Sequence, residues 1–346
     1  MSKNPINKFN WKPPNNWLNI ETIDLHTGGE PLRVITNGLP EVKGITILEK
    51  RRFFRDNLDF LRTGLMWEPR GHADMYGAVV TEPMSEGSDF GTFFMHNEGY
   101  STMCGHAIIA LVKLMHDTGS LVKENNEYII DAPPGLIRAK AEIKDGKVTR
   151  TYFRNVPSFV LMADQKVDVS GIGEVKFDIA FGGAFYAFVD ADSIRLGLND
   201  KDYNQLIDWG KKIKKAIIGK FEIKHPFEED LSFLYGTVFI GKAKNTNHHS
   251  RNVCIFAEGE VDRSPTGSGV SARAAIHSLK DNLKVGEEIT IESILDTTMT
   301  VKVVEETTYG PHKAVIPEVS GTAHITGQNS FCFDPKDELK NGFIFR

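Results

Sequence analysis

Cysteine is scarce in this chain. There are three in 346 residues, Cys104, Cys254 and Cys332, and they stand too far apart to form a metal-binding pair or a disulfide framework. A reduced, cytoplasmic setting is therefore expected. Charge of one sign does not accumulate: the net charge is −5 with no long run of either sign, which argues against nucleic acid as the main partner. No apolar run approaches the roughly 18 residues that span a bilayer. The start, Met1 to Asn16, is polar and lacks the apolar core of a secretory signal. Neither a low-complexity tract nor a pyridoxal-type lysine nor a metal cluster is evident, so the chemistry is expected to run without a cofactor.

What is present is the composition of a globular protein, 40% hydrophobic and 25% charged, long enough for two domains of ordinary size. After a mobile arm expected over Met1 to Trp17, strands are read at Ile20–Leu25 and Leu32–Thr36, around a Thr27-Gly28-Gly29-Glu30-Pro31 turn. A helix is read over Thr46–Thr63, with Ile47, Phe54, Leu58 and Leu61 as its buried stripe. Strands at Ala73–Val80 and Asp89–His96 lead to a helix after Cys104, which Gly119 stops. An antiparallel run follows, Glu127 to Asn155. Val156 to Gly173 reads as an irregular crossing, the candidate linker. From Val175 the order of elements starts over: two strands, a charged helix near Tyr203–Ile218, and strands at Phe233–Ile240 and Arg251–Glu258. A second small-residue helix and more strands come next. The tail, Thr322 to Phe345, reads as returning to the first half. The expected division is thus 1–160 with about 325–346 as one domain, and 172–322 as the other.

Two segments stand at matching places in these halves. In Tyr100 to Ala110, Cys104-Gly105-His106 follows an apolar strand and opens a helix. In Val261 to Ile276, Thr266-Gly267-Ser268 does the same. A strand, a Gly-containing turn and a helix start bring several backbone N–H groups to one spot, a natural anion seat. Asp262 precedes the second seat. N–H groups at Gly105, His106, Gly267 and Ser268 suit a carboxylate, while Asp262 and the His106 ring suit an amine, so the ligand expected is an amino acid held between two halves.

A free thiol has a pKa near ~8.5, and its thiolate is the useful base. The amide dipoles at a helix start are expected to favour that thiolate at Cys104, which is then placed to take an α-proton while the N–H groups stabilise charge gathering on the carboxylate. Plainer readings stand beside this one. A lone cysteine before a helix is more often a buried small hydrophobe. Asp262-Arg263 reads equally as a surface ion pair, and Thr266 as nothing more than a helix N-cap.

Met103-Cys104-Gly105-His106 and Asp262-Arg263-Ser264-Pro265-Thr266-Gly267-Ser268-Gly269 resemble the two signature motifs of the proline racemase family. So do His26-Thr27-Gly28-Gly29-Glu30-Pro31, Arg70-Gly71-His72-Ala73-Asp74-Met75 and His96-Asn97-Glu98-Gly99-Tyr100, and the likeness runs from about Ile20 onward. The resemblance implies an α/β fold of the diaminopimelate epimerase type, in two similar halves that each wrap strands around a central helix, with the ligand in the cleft between. Racemases and 4-hydroxyproline epimerases of the family carry a cysteine in both signatures, one on each face of the ring. Here the second position is Thr266, whose alcohol is far too weak an acid to alternate with a thiolate. The Cys/Thr pairing looks like the family's trans-3-hydroxy-L-proline dehydratase branch.

In that substrate the α-hydrogen and the 3-hydroxyl share one ring face, so a single base suffices. The resemblance implies Cys104 and Thr266 as catalytic residues, Cys104 being the base. For substrate binding it implies Gly105, His106, Asp262, Gly267 and Ser268, with Tyr76 and Phe256 walling the ring. Three alternatives remain at this point: an epimerase, a racemase, and a non-catalytic amino-acid binder on the same scaffold. The partner expected is a small imino acid, with no nucleic acid or membrane and with a second copy of the chain as the further candidate.

Overall fold

The architecture is given by a computed structural model that describes residues 11–345; the first ten residues of the expected N-terminal arm lie outside them. Strands β1 (Leu18–Thr27) and β2 (Glu30–Asn37) form a hairpin, then α1 (Ile47–Met66), β3 (Tyr76–Thr81), β4 (Phe90–His96) and β5 (Gly99–Ser101) lead to α2 (Gly105–Asp117). Three further strands follow, β6 (Glu127–Ala132), β7 (Gly135–Lys144) and β8 (Lys147–Arg154). After β9 (Ser158–Val169) the series is played again. It runs β10 (Gly173–Phe181), β11 (Phe185–Asp190), α3 (Tyr203–Ile218), β12 (Leu234–Gly241), β13 (Ser250–Phe256), β14 (Glu260–Val261), α4 (Gly267–Lys280), β15 (Glu288–Glu292), β16 (Thr298–Tyr309) and β17 (His312–Gly321), and β18 (Ala323–Phe333) completes it.

The pairing repeats as faithfully as the order. β2 runs parallel to β3, as β11 does to β12; β4 runs parallel to β6, as β13 does to β15; the other neighbours within each series are antiparallel. β17 is the seam, pairing with β8 through Glu318–Gly321 and with β9 through Ala314–Val315. β18 returns to the start of the chain and pairs with β1 along its length, as the tail of the sequence predicts. The fold is mixed α/β, a curled sheet with few helices.

The expected linker is not irregular. Most of it is β9, a twelve-residue strand paired with β10 on one side and β17 on the other. Its polar residues, Asp164 to Lys166, mask a strand whose ends are buried, so hydrophobic alternation is weak along it.

Each helix follows from its composition. In α2 the residues Ala107 to Val112 are buried all round, which suits a helix enclosed by strands rather than lying on them. It packs against β1, β2, β7, β8, β17 and β18, and α4 packs against β9, β10, β16 and β17. The small residues of α4, Gly267 to Ala275, let strands close around it. α1 is amphipathic, capped by Thr46, whose hydroxyl accepts from the Glu49 N–H; its predicted stripe is buried in a second core with Phe93 and Phe333. Among the described residues no helix is long and apolar enough to cross a membrane.

Candidate functional site

β5 delivers the chain to Cys104 and β14 delivers it to Asp262, so the two central helices start nose to nose. The meeting is close enough to require glycine on both sides. A methyl group on Gly105 would lie 2.7 Å from the Cα of Gly267, and one on Gly267 the same distance from Gly105. Between these starts lies a cleft lined by Tyr76, Cys104, Gly105, His106, Phe256, Asp262, Thr266, Gly267 and Ser268, all nine residues singled out from sequence. It holds about 20 Å³ of free space, room for about one water.

Cys104 is the N-cap of α2, and its Sγ accepts from the Ala107 N–H at 3.4 Å. His106 Nδ1 lies 3.1 Å from the same sulfur. The expectation that the helix start favours a thiolate is reversed in this closed cleft. Burial pushes the thiol well above its ordinary range; the Ala107 N–H and the Tyr76 hydroxyl draw it down, but the Asp262 and Glu30 carboxylates add to the rise. Burial likewise holds the His106 imidazole neutral, down to about 3, against a hydrogen bond to the Pro31 carbonyl.

Thr266 stands in the matching place with a different geometry. Its φ is +68° and ψ is 90°, and its side chain makes no capping bond to α4. The plain N-cap reading therefore fails. A β-branched residue in this region is strained by about 1–3 kcal/mol, and such strain is held only where the surroundings impose it. Part of that surrounding is Asn252, whose Nδ2 donates to the Pro265 carbonyl at 3.1 Å while its Oδ1 accepts from buried Arg273 at 3.0 Å. The Thr266 hydroxyl is buried and has no hydrogen-bond partner of ordinary geometry among the described residues, yet it is near enough to Asp262 to help hold that carboxyl down.

Nor is Asp262 half of a surface ion pair. It is buried, 5% exposed, and its Oδ1 accepts from the Ser264 N–H at 2.7 Å. Burial raises its pKa to about 6, with Ser264, Thr266 and Arg263 opposing. Arg263 turns instead to Asp74, at 2.6 Å. Ser268 Oγ lies 2.7 Å from the Tyr186 hydroxyl. Tyr76 bonds to Ser101 and meets the His106 ring edge-on at 4.8 Å. Phe256 stacks on Tyr235 at 5.4 Å. Cys254 is buried on β13 and does not line the cleft.

Four further residues complete the lining: Glu30, Met103, Tyr186 and Tyr235. Glu30 and Met103 sit inside motifs visible in the sequence, where nothing marks them as facing a ligand. Tyr235 carries a sequence signal: Tyr76-Gly77 and Tyr235-Gly236 stand at the starts of β3 and β12, the same strand of each series. Tyr186, on β11, carries no such signal.

The proline racemase family profile matches residues 22–344. Over 341 residues, 97% of this chain and 96% of the relative, the chain is 50% identical to a trans-3-hydroxy-L-proline dehydratase of Colwellia psychrerythraea. It is 47% identical to one of Bacillus cereus, over 93% of this chain and 97% of that protein, and 44% identical to a trans-L-3-hydroxyproline dehydratase of Xenopus tropicalis, over 96% and 97%. A hydroxyproline epimerase of Agrobacterium vitis, solved with bound trans-4-hydroxy-L-proline, superposes with a TM-score of 0.90 at 26% identity, covering 96% of each chain.

Proposed function

The chain belongs to the proline racemase family, and from that premise we propose that it is a trans-3-hydroxy-L-proline dehydratase, a hydro-lyase. The relatives of that name support the reaction. The observation that carries the mechanism is the lopsided cleft: a thiol, Cys104, at the start of α2 and only an alcohol, Thr266, at the start of α4.

In this reading the substrate carboxylate takes the N–H groups of Gly105, His106, Gly267 and Ser268, and its ammonium takes Asp262. Arrival of the ammonium offsets the Asp262 charge that pushes Cys104 up, so binding itself promotes the thiolate. Cys104 then removes the α-proton while the N–H groups absorb charge on the carboxylate. The 3-hydroxyl on the same ring face leaves as water, and the enamine tautomerises to Δ1-pyrroline-2-carboxylate. Thr266 shapes the opposite wall, and Tyr76 and Phe256 hold the ring.

The two halves we infer are 1–160 with about 325–346, and 172–322, diaminopimelate epimerase-like, with the cleft between them. The repeated strand pairing and the return of β18 to β1 support that division. We place the enzyme in the cytoplasm, where its thiols stay reduced.

Hydroxyproline epimerisation is the second reading, favoured by the Agrobacterium vitis neighbour. It needs a second acid where Thr266 stands. Purified protein incubated with trans-3-hydroxy-L-proline and with trans-4-hydroxy-L-proline in deuterated water separates the two. Cyclic imine from the first and no inversion of the second is expected; efficient inversion of the second without imine from the first would reverse the assignment.

A further inference from the structure

Glu30 opens β2 and lines the cleft without a task in the reaction above. It is fully buried. Its Oε2 accepts the Arg263 N–H at 2.7 Å, and its Oε1 has no hydrogen-bond partner among the described residues. A buried carboxyl oxygen without a partner costs about 1–3 kcal/mol, which is tolerable where a ligand completes the bond.

The turn that carries Glu30 is bonded to the start of α2 and to the turn before β16. Thr27 Oγ1 donates to the His106 carbonyl at 2.8 Å. Gly28 sits against Ser264, its carbonyl accepting from Thr297 Oγ1 at 2.8 Å. Glu30 is thereby held beside both Cys104 and Asp262. Burial and the Asp262 carboxylate push its own carboxyl well above the usual range, and Arg263 only partly offsets them. Asp262 titrates near 6. Two neighbouring carboxyl groups thus sit in unlike surroundings, with burial favouring the protonated form of Glu30 and Ser264, Thr266 and Arg263 favouring the ionised form of Asp262.

We propose that Glu30 is the acid that protonates the departing 3-hydroxyl. The proposal rests on the dehydratase reading and supplies what that reading lacks, since hydroxide is a poor leaving group. The other candidates in the cleft fit less well. His106 is neutral and carries no spare proton, Tyr235 and Thr266 offer only a phenol and an alcohol, and Asp262 is needed as an anion for the ammonium.

The step balances. The Cys104 sulfur bonds to the α-hydrogen as the C–H bond breaks, and that electron pair becomes the C2–C3 double bond. The C3–O bond breaks, the Glu30 proton passes to the oxygen, and water leaves. Cys104 ends as a thiol and Glu30 as a carboxylate. After product departs, one proton moves from the thiol to the carboxylate through solvent, with no net proton taken up.

Glu30→Gln tests this, because glutamine keeps an oxygen for the Arg263 N–H. Three readouts are followed in deuterated water: α-exchange, cyclic imine from trans-3-hydroxy-L-proline, and chloride release from trans-3-chloro-L-proline, whose leaving group needs no proton. Imine formation by E30Q should fall about 10²- to 10⁴-fold, while α-exchange persists and chloride release stays within about tenfold of the unmodified protein. Parallel loss of all three would make Glu30 a binding or structural residue and overturn the proposal, as would imine formation near the unmodified rate. Should E30Q fail to fold, Glu30→Asp withdraws the acid by one methylene, and its loss of imine formation must exceed its loss of chloride release. An unmodified protein that forms no imine overturns the dehydratase reading itself, a result visible before any variant is made.

Discussion

The Cα atoms of Gly105 and Gly267 face one another so closely that neither residue can carry a side chain: the first carbon of one would sit 2.7 Å from the other's backbone. This contact aims the N–H groups of two helix starts into one space. Gly105→Ala should therefore force the starts apart. A loss of about 1–3 kcal/mol in urea unfolding is expected from overpacking, with a fall of about 10²-fold in kcat/KM from misplaced donors. A variant with unchanged stability and turnover would show that the starts need not touch.

Cys104→Ala should remove the base. Imine formation from trans-3-hydroxy-L-proline is expected to drop at least about 10²- to 10⁴-fold with folding intact, since the thiol occupies a site that a small residue fills. Near-normal turnover would point to another base.

Thr266→Cys places a thiol on the wall that lacks one. The variant is expected to gain α-inversion of trans-4-hydroxy-L-proline or proline, read by chiral chromatography. Because position 266 has a φ of +68°, the cysteine inherits a strained backbone, and the gain should be modest.

Asp262 gives a test in stability. Its carboxyl titrates near 6 in the folded chain and near 3.9 when unfolded. Between those values the folded state binds more protons, so stability is full below about pH 4 and declines as pH rises toward 6. Above 6 the folded protein carries a cost of about 3 kcal/mol. Asp262→Asn should thus be more stable than the unmodified protein at pH 8, by up to that amount, and not at pH 4, while binding substrate poorly. Equal effects at both pH values would contradict a buried, ionised Asp262.

The activity profile follows from the same groups. kcat/KM should fall as pH drops through about 6, where Asp262 loses its charge; at higher pH ionisation of Cys104 raises it while loss of the Glu30 proton lowers it, so the profile should be bell-shaped. His106 titrates near 3 and should leave no inflection near neutrality.

Much of this was legible along the chain. The two signatures, the strand–turn–helix entries and the apolar α2 depend on neighbours a few residues apart, and local sequence is enough to specify them. Seven site residues lie within the two signatures, Tyr76 and Phe256 are implied by the family resemblance, and all nine line one cleft. β9 escaped because its pairing partners, β10 and β17, supply the order that its own mixed residues do not. Tyr186, on β11, carries no local signal, and Glu30 and Met103 lie in motifs whose order along the chain does not say which side chains face the cleft.

The ionisation of Cys104 departs from the local expectation for a physical reason. A helix start is a local feature and lowers a thiol's pKa, whereas burial and the Asp262 and Glu30 carboxylates act through space and raise it. Residue types and their order along the chain determined which groups the protein can bring to bear. Only the folded arrangement decided their protonation, their contacts and the backbone strain at Thr266, because desolvation and Coulomb interaction depend on distances that the chain acquires only on folding.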